Sequence, residues 1–291
     1  MFSGSYVALV TPFNNDGSVN YDKFAELIDW QIEQGTNGIL VRGTTGEAST
    51  LTDEEHLELI RFAVKAVNHR VPLVAGTGSN DTLYSLYLSQ GAEEAGVDAV
   101  LLITPYYLKT NEEGLYQHFA YVADRIKTPI ILYNVPSRTT MNISINVLKR
   151  LSEHKNIVAI KEAHPETGRL LQVAYECPSL KMFSGNDNAI VPTMSLGGVG
   201  VISVAANLIP NVVSQICSLY ASGNTAEASK LQIKYGRLID MLFIEPNPIP
   251  IKEAMNLIGM NVGGYRLPLV QMQSSNREKL LAEMKNLNLL S

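Results

Sequence analysis

Residues 129–163 read PIILYNVPSRTTMNISINVLKRLSEHKNIVAIKEA. Two short, β-branched apolar runs, PIILYNVP (129–136) and IVAIKEA (157–163), flank an amphipathic stretch, the alternation from which parallel sheets are built. The pattern continues on both sides. Upstream lie SYVALVTPF (5–13), GILVRGTTGE (38–47), VPLVAGTGSN (71–80) and AVLLITPYY (99–107), and downstream KMFSGND (181–187) and GVGVISVAAN (198–207). Eight such runs, with no GxGxxG after the first, predict an α/β chain folded as a closed (β/α)8 barrel rather than an open doubly wound sheet.

Helix signals fall between the runs. Thr52, followed three residues later by Glu55, has the form of a capping box, Asp81 is a candidate N-cap, and Gly35 and Gly96 stand where helix C-caps belong. The interval between the seventh and eighth runs has room only for a small helix. Beyond residue 207 no strand pattern recurs. The expected division is therefore a barrel over 1–207, its final helix continuing past 207, and a helical C-terminal region over 208–291, where Pro246, Pro248 and Pro250 break one connection.

With 291 residues, 46% of them hydrophobic and 18% charged, the chain has the size of one such barrel. A net charge of −5 without a run of like charges gives no footprint for nucleic acid or an anionic membrane. No apolar segment approaches the ~20 residues that span a bilayer, and MFSGSYVALVTPF lacks the basic start of a signal peptide, so a soluble cytoplasmic protein is expected. Cys177 and Cys217 have neither metal-ligand spacing nor the density of a disulfide scaffold. The five histidines are dispersed, and only His164 follows a strand closely, which leaves metal chemistry without a ligand set.

Reactive residues of a (β/α)8 barrel lie at the C-terminal ends of its strands. In IVAIKEA that end carries Lys161, and period two would put Ile157, Ala159, Lys161 and Ala163 on one face. Burial disfavours the ammonium form and leaves a nucleophilic amine fit for a Schiff base; the alternative is a lysine snorkelling to the barrel mouth or paired with Glu162. The loop GTTGE (43–47) brackets Thr44 and Thr45 with glycines, so that backbone N–H groups could cradle a carboxylate, or it is an ordinary glycine-rich turn. Tyr133 shares an inward parity with Ile131 and Val135 and could exchange protons with an amine, against the reading of a structural tyrosine. Arg138 offers a fork for a substrate carboxylate or a surface ion pair.

As a set, GTTGE, TPYY, YNVPSRT, the lysine of IKEA, SGND and EPNPIPIKEA closely resemble the dihydrodipicolinate synthases, members of the pyruvate-dependent class I aldolase family that includes the N-acetylneuraminate lyases. The resemblance covers essentially the whole chain. It implies that Lys161 forms a Schiff base with pyruvate, that Thr44 and Thr45 hold its carboxylate, and that the resulting enamine adds to aspartate 4-semialdehyde, yielding 4-hydroxy-tetrahydrodipicolinate without metal or organic cofactor. It further implies a proton relay of Tyr133, Thr44 and Tyr107, with Tyr107 supplied across a tight dimer within a homotetramer of two dimers. Arg138 would bind the semialdehyde carboxylate, and Gly185 and Ile202 would line the pyruvate pocket.

Arg138 in YNVPSRT distinguishes synthases from lyases of N-acetylneuraminate or 2-keto-3-deoxy sugar acids, while His164-Pro165-Glu166-Thr167 departs from the short stretch usual after IKEA. A non-catalytic keto-acid-binding paralogue and a metal-dependent hydrolase are the readings from other classes. The lysine effector site of regulated members corresponds to Ala48, Ser49, His56, Asn80 and Tyr106, but Tyr84 stands in place of a glutamate and Asp53 in place of a histidine. Weak or absent feedback by lysine is therefore expected.

Overall fold

The computed structural model describes residues 2–290. Its strands are β1 (Gly4–Ala8), β2 (Gly38–Val41), β3 (Leu73–Gly76), β4 (Ala99–Ile103), β5 (Ile130–Asn134), β6 (Ile157–Glu162), β7 (Lys181–Ser184) and β8 (Gly200–Ser203). All pair in parallel, in chain order, and β8 returns to β1 through Tyr6↔Ile202, so the sheet closes as the eight apolar runs predict.

Closure creates two cores. Inside the barrel, Tyr6, Leu40, Val74, Leu101, Ile131 and Phe183 pack together, with Tyr6 and Phe183 edge-to-face at 5.3 Å between ring centroids. The other strand faces meet the surrounding helices in a larger apolar layer that includes Val41, Ile60, Leu102, Phe119 and Leu132. Thr52 and Glu55 form the capping box of the helix Asp53–Val67, Asp81 accepts from the Tyr84 N–H, and Gly96 closes Thr82–Ala95 with a φ of 91°. The interval between β7 and β8 holds only the six-residue helix Ile190–Ser195.

One parity differs from the sequence pattern. The β5–β6 register shifts at Ile130/Ile131, leaving an extra residue in β6 between Ile157 and Ala159. Ile157 consequently joins the helix-facing layer, while Ala159 and Ala163 stay inside the barrel. Lys161 keeps the inward face and lies level with Tyr133 on β5 and Phe183 on β7.

Past β8, the helix Pro210–Ala221 packs on β1, and Thr225–Met241, Ile249–Leu257 and Ser274–Asn286 follow. The segment between the second and third of these helices, with Pro246, Asn247 and Pro248, folds back over the C-terminal mouth of the barrel, while Pro250 lies in the first turn of the helix that follows. Asn247 donates from Nδ2 to the Thr45 hydroxyl at 3.0 Å, joining residues far apart in the chain.

Candidate active site

A cavity of about 750 Å³ opens at the C-terminal mouth. Thr44 and Thr45 after β2, Tyr133 and Arg138 around the end of β5, Lys161 on β6 and Gly185 after β7 all line it, together with Phe243 and Asn247 from the C-terminal region. Six of the candidate residues thus converge from four strand ends.

Lys161 is 5% exposed, and its Nζ stands 4.3 Å from the centroid of the Tyr133 ring. Burial pulls its amine down from the usual lysine range to about 8; the Asp187 carboxylate opposes that pull and the Arg138 guanidinium adds to it. It does not pair with Glu162. That carboxylate sits on the opposite face of β6, where it meets Arg169 Nε at 3.1 Å and Asn134 Nδ2 at 2.8 Å, so the buried charge of Glu162 is satisfied away from the cavity. Burial also pushes the Tyr133 phenol up to about 12, against the Arg138 guanidinium and a contact with the Thr44 hydroxyl. Tyr133 is thereby kept protonated, a proton donor beside an amine that readily loses its own.

The turn 43–47 is held tightly, with Gly46 N donating to Gly43 O and Glu47 N to Thr44 O, both at 3.1 Å. A side chain at Gly46 would place a Cβ 3.1 Å from Leu9 O and 3.3 Å from Arg42 N, tight contacts with backbone that favour glycine there. Among the described residues neither the Thr44 nor the Thr45 backbone N–H has an acceptor. Two donors without an acceptor, in residues that line a cavity, are suited to holding a carboxylate.

What fixes this turn lies outside the barrel. Glu47 adopts a left-handed φ of 54°, strained for a side chain of its size, and it is anchored by ions from the C-terminal region. Lys252, completely buried, donates to Glu47 Oε1 at 2.8 Å, to Thr11 O at 3.0 Å and to Gly264 O. Burial pulls the Lys252 amine down and Glu47 counters it. The backbone N–H of Arg266 reaches Glu47 Oε2 at 3.2 Å, while its guanidinium grips Glu55 of the following capping box through two bonds of 2.6 and 2.5 Å. Sequence reading missed Lys252, Arg266 and Asn247. A lysine set among Ile249, Ile251, Ala254 and Met255 in IPIKEAM was the available signal.

The remaining candidates are only partly gathered here. Ile202 lies in the apolar interior of the barrel with Ala159 and Phe183, not on the cavity wall. Tyr107 is 95% exposed with a φ of 66°, outside the pocket of its own chain. Of the effector candidates, Ala48, Ser49 and Tyr106 share the cavity wall; Asn80 donates to the Tyr106 carbonyl at 3.1 Å; His56 is fully buried with neither ring nitrogen partnered. The Tyr84 hydroxyl donates to Asp53. His164, Pro165 and Thr167 of the departing loop border a neighbouring recess of about 520 Å³, which shares Ser137, Ala163, Asn186 and Phe243 with the main cavity. No cluster of metal-ligating side chains occurs among the described residues, nor any helix long and apolar enough to cross a membrane.

Residues 1–287 match the model of the dihydrodipicolinate synthetase family. The 4-hydroxy-tetrahydrodipicolinate synthase of Clostridium novyi is 51% identical over 289 residues, 99% of this chain and 97% of that one. The structure of dihydrodipicolinate synthase from Aquifex aeolicus superposes with a TM-score of 0.97 at 43% identity, covering 99% of each chain. A chloride-inhibited dihydrodipicolinate synthase from Acinetobacter baumannii, solved with pyruvate, gives 0.97 at 40% identity over the full length of both.

Proposed function

The chain belongs to the dihydrodipicolinate synthetase family, lyases of the class I aldolase type, and from that premise we propose that it condenses pyruvate with L-aspartate 4-semialdehyde through a Schiff base on Lys161. The product is 4-hydroxy-tetrahydrodipicolinate, on the route to diaminopimelate and lysine.

In this reading pyruvate enters with its carboxylate on the Thr44 and Thr45 N–H groups. The neutral amine of Lys161 attacks the ketone carbon; the tetrahedral adduct loses water as Tyr133 delivers a proton, leaving an iminium. Loss of a methyl proton gives the enamine, the iminium nitrogen taking up the electron pair, so that no separate cofactor is needed. The enamine carbon then bonds to the aldehyde carbon of the semialdehyde, whose carboxylate Arg138 holds. Finally the substrate amine adds to the iminium carbon, and the Lys161 C–N bond breaks to free the enzyme.

The observation that carries the reading is the Lys161 amine, buried beside Tyr133 and drawn down to about 8. Its neutral fraction grows as pH rises through that value, so borohydride trapping with pyruvate should label Lys161 and accelerate between about pH 7 and 9. Labelling of another lysine, or none, would remove the mechanism; a coupled assay with the semialdehyde then tests the second substrate.

Exposed Tyr107 supports a shared site. We infer a tight dimer in which each chain lends Tyr107 to the relay of Tyr133 and Thr44 in its partner, two dimers forming a tetramer, in the cytoplasm. With Asp53 engaged by Tyr84 and Arg42 adding positive charge to the adjoining wall, a second ammonium ligand is poorly served, and feedback by lysine is weak or absent.

A further inference from the structure

Tyr133 and Lys161 stand level on neighbouring strands, and the next pair in that register is Asn134 and Glu162, both buried. Together with buried Arg169 on the helix Thr167–Glu176 they form one polar cluster behind the strand ends, and none of the three lines either cavity. Glu162 Oε1 accepts from Asn134 Nδ2 at 2.8 Å and from the His164 N–H at 2.9 Å, while Oε2 accepts from Arg169 Nε at 3.1 Å. Replacing a buried ion pair by apolar residues is often neutral or stabilising, so stability alone does not account for such a cluster.

What the cluster holds is the loop 135–143, which carries Arg138. Asn134 Oδ1 accepts from the Ile143 N–H at 3.0 Å, its Nδ2 also donates to Asn142 Oδ1 at 2.8 Å, and Arg169 Nη2 donates to the Ile143 carbonyl at 2.7 Å. Both backbone groups of Ile143 are therefore fixed by side chains of the cluster. The loop is closed at its base on β5 by Asn134 and tied to β6, the strand of Lys161, through Arg169 and Glu162. The Arg138 guanidinium has only a long bond of its own within the chain, from Nη2 to the Asn247 carbonyl at 3.4 Å, so its place follows from the backbone beneath it.

We propose that Arg169, acting through Glu162 and Asn134, is a positioning residue for the second substrate: it sets the Arg138 loop at a fixed reach from Lys161, so that a carboxylate held by Arg138 brings its aldehyde carbon onto the enamine. This rests on the Schiff-base reading above and adds to it a determinant of how the two substrates meet. A displacement of about 1 Å at a reacting centre costs on the order of 100-fold in rate, which gives a distant brace of this kind a large lever.

The test separates the two substrates. Glu162→Gln combined with Arg169→Met removes the guanidinium without stranding a buried carboxylate and keeps one oxygen for Asn134 and His164; Arg169→Lys keeps the charge without the fork that reaches two acceptors. Borohydride trapping with pyruvate alone, scored by mass spectrometry, should proceed in both variants at close to the wild-type rate. In steady-state assays kcat/KM for the semialdehyde should fall on the order of 10- to 100-fold in the double variant and by less in Arg169→Lys, with the KM for pyruvate kept. Circular dichroism checks folding, and Arg169→Lys carries the test if the double variant does not fold. Trapping that falls in parallel with condensation, or semialdehyde kinetics equal to wild type, would overturn the proposal and leave the Schiff-base reading standing. Wild type that is not trapped at all removes that reading, and this proposal with it.

Discussion

Two loops at the same mouth of the barrel are built in opposite ways. The turn after β2, residues 43–47, is strained at Glu47 and fully braced from within the chain by Lys252, Arg266 and Asn247. The loop after β4 is strained at Tyr107 and braced by little: Asn80 holds the Tyr106 carbonyl, Thr104 donates to the Thr139 hydroxyl at 2.8 Å, and the side chains of Tyr106, Tyr107 and Leu108 are exposed. The turn with the free N–H groups is completed by its own chain, whereas the apolar loop is left uncovered by it.

Breaking the brace should produce the largest effect. Lys252→Met leaves Glu47 buried with its cation gone, and loss of one partner from a buried pair destabilises by about 3–5 kcal/mol. Denaturant midpoints should fall accordingly, and the KM for pyruvate should rise as the turn loosens. Adding Glu47→Gln removes the stranded charge and should restore much of the stability without restoring KM. A Lys252→Met protein that unfolds at the wild-type midpoint would show that the C-terminal region merely rests on the turn.

Removing the tyrosine hydroxyl from the other loop should act on chemistry alone. Tyr107→Phe deletes no contact within the chain, so its unfolding midpoint should match wild type, while kcat should drop about 100-fold, the lower range for a positioned proton donor. Sharper still is complementation. Co-refolding Tyr107→Phe with Lys161→Ala produces mixed dimers in which one pocket has both Lys161 and a partner's intact Tyr107, and activity should reappear. If mixtures stay as inactive as their parents, Tyr107 does not act across an interface.

These two loops were unequally legible. Strand periodicity located both at the barrel mouth, and Thr44, Thr45, Tyr133 and Lys161 were nameable because a strand end reports its chemistry locally. The brace was not legible in the same way, since Lys252 and Asn247 reach Glu47 and Thr45 across most of the chain, and no local pattern encodes a contact of that range. Ile157 misled for a related reason. One extra residue in β6 reverses inward and outward, and alternation read from sequence has no means of detecting a bulge before pairing is known. Arg42 passed unnoticed because a charge at a strand end looks solvated until the fold buries it.

The smallest effect separates the loops by solvent alone. Each is tied by one asparagine amide: Asn247 Nδ2 to Thr45 Oγ1 at 3.0 Å, buried, and Asn80 Nδ2 to the Tyr106 carbonyl at 3.1 Å, at the surface. Water replaces the second bond readily and the buried first bond far less so. Asn247→Ala should therefore cost about 1 kcal/mol and raise the pyruvate KM about fivefold with kcat nearly kept, because the freed Thr45 hydroxyl loosens binding without altering the amine. Asn80→Ala should leave stability within about 0.5 kcal/mol of wild type. Equal losses from the two substitutions, measured in parallel denaturant titrations and steady-state assays, would mean that the loops differ in appearance and not in how firmly the chain holds them.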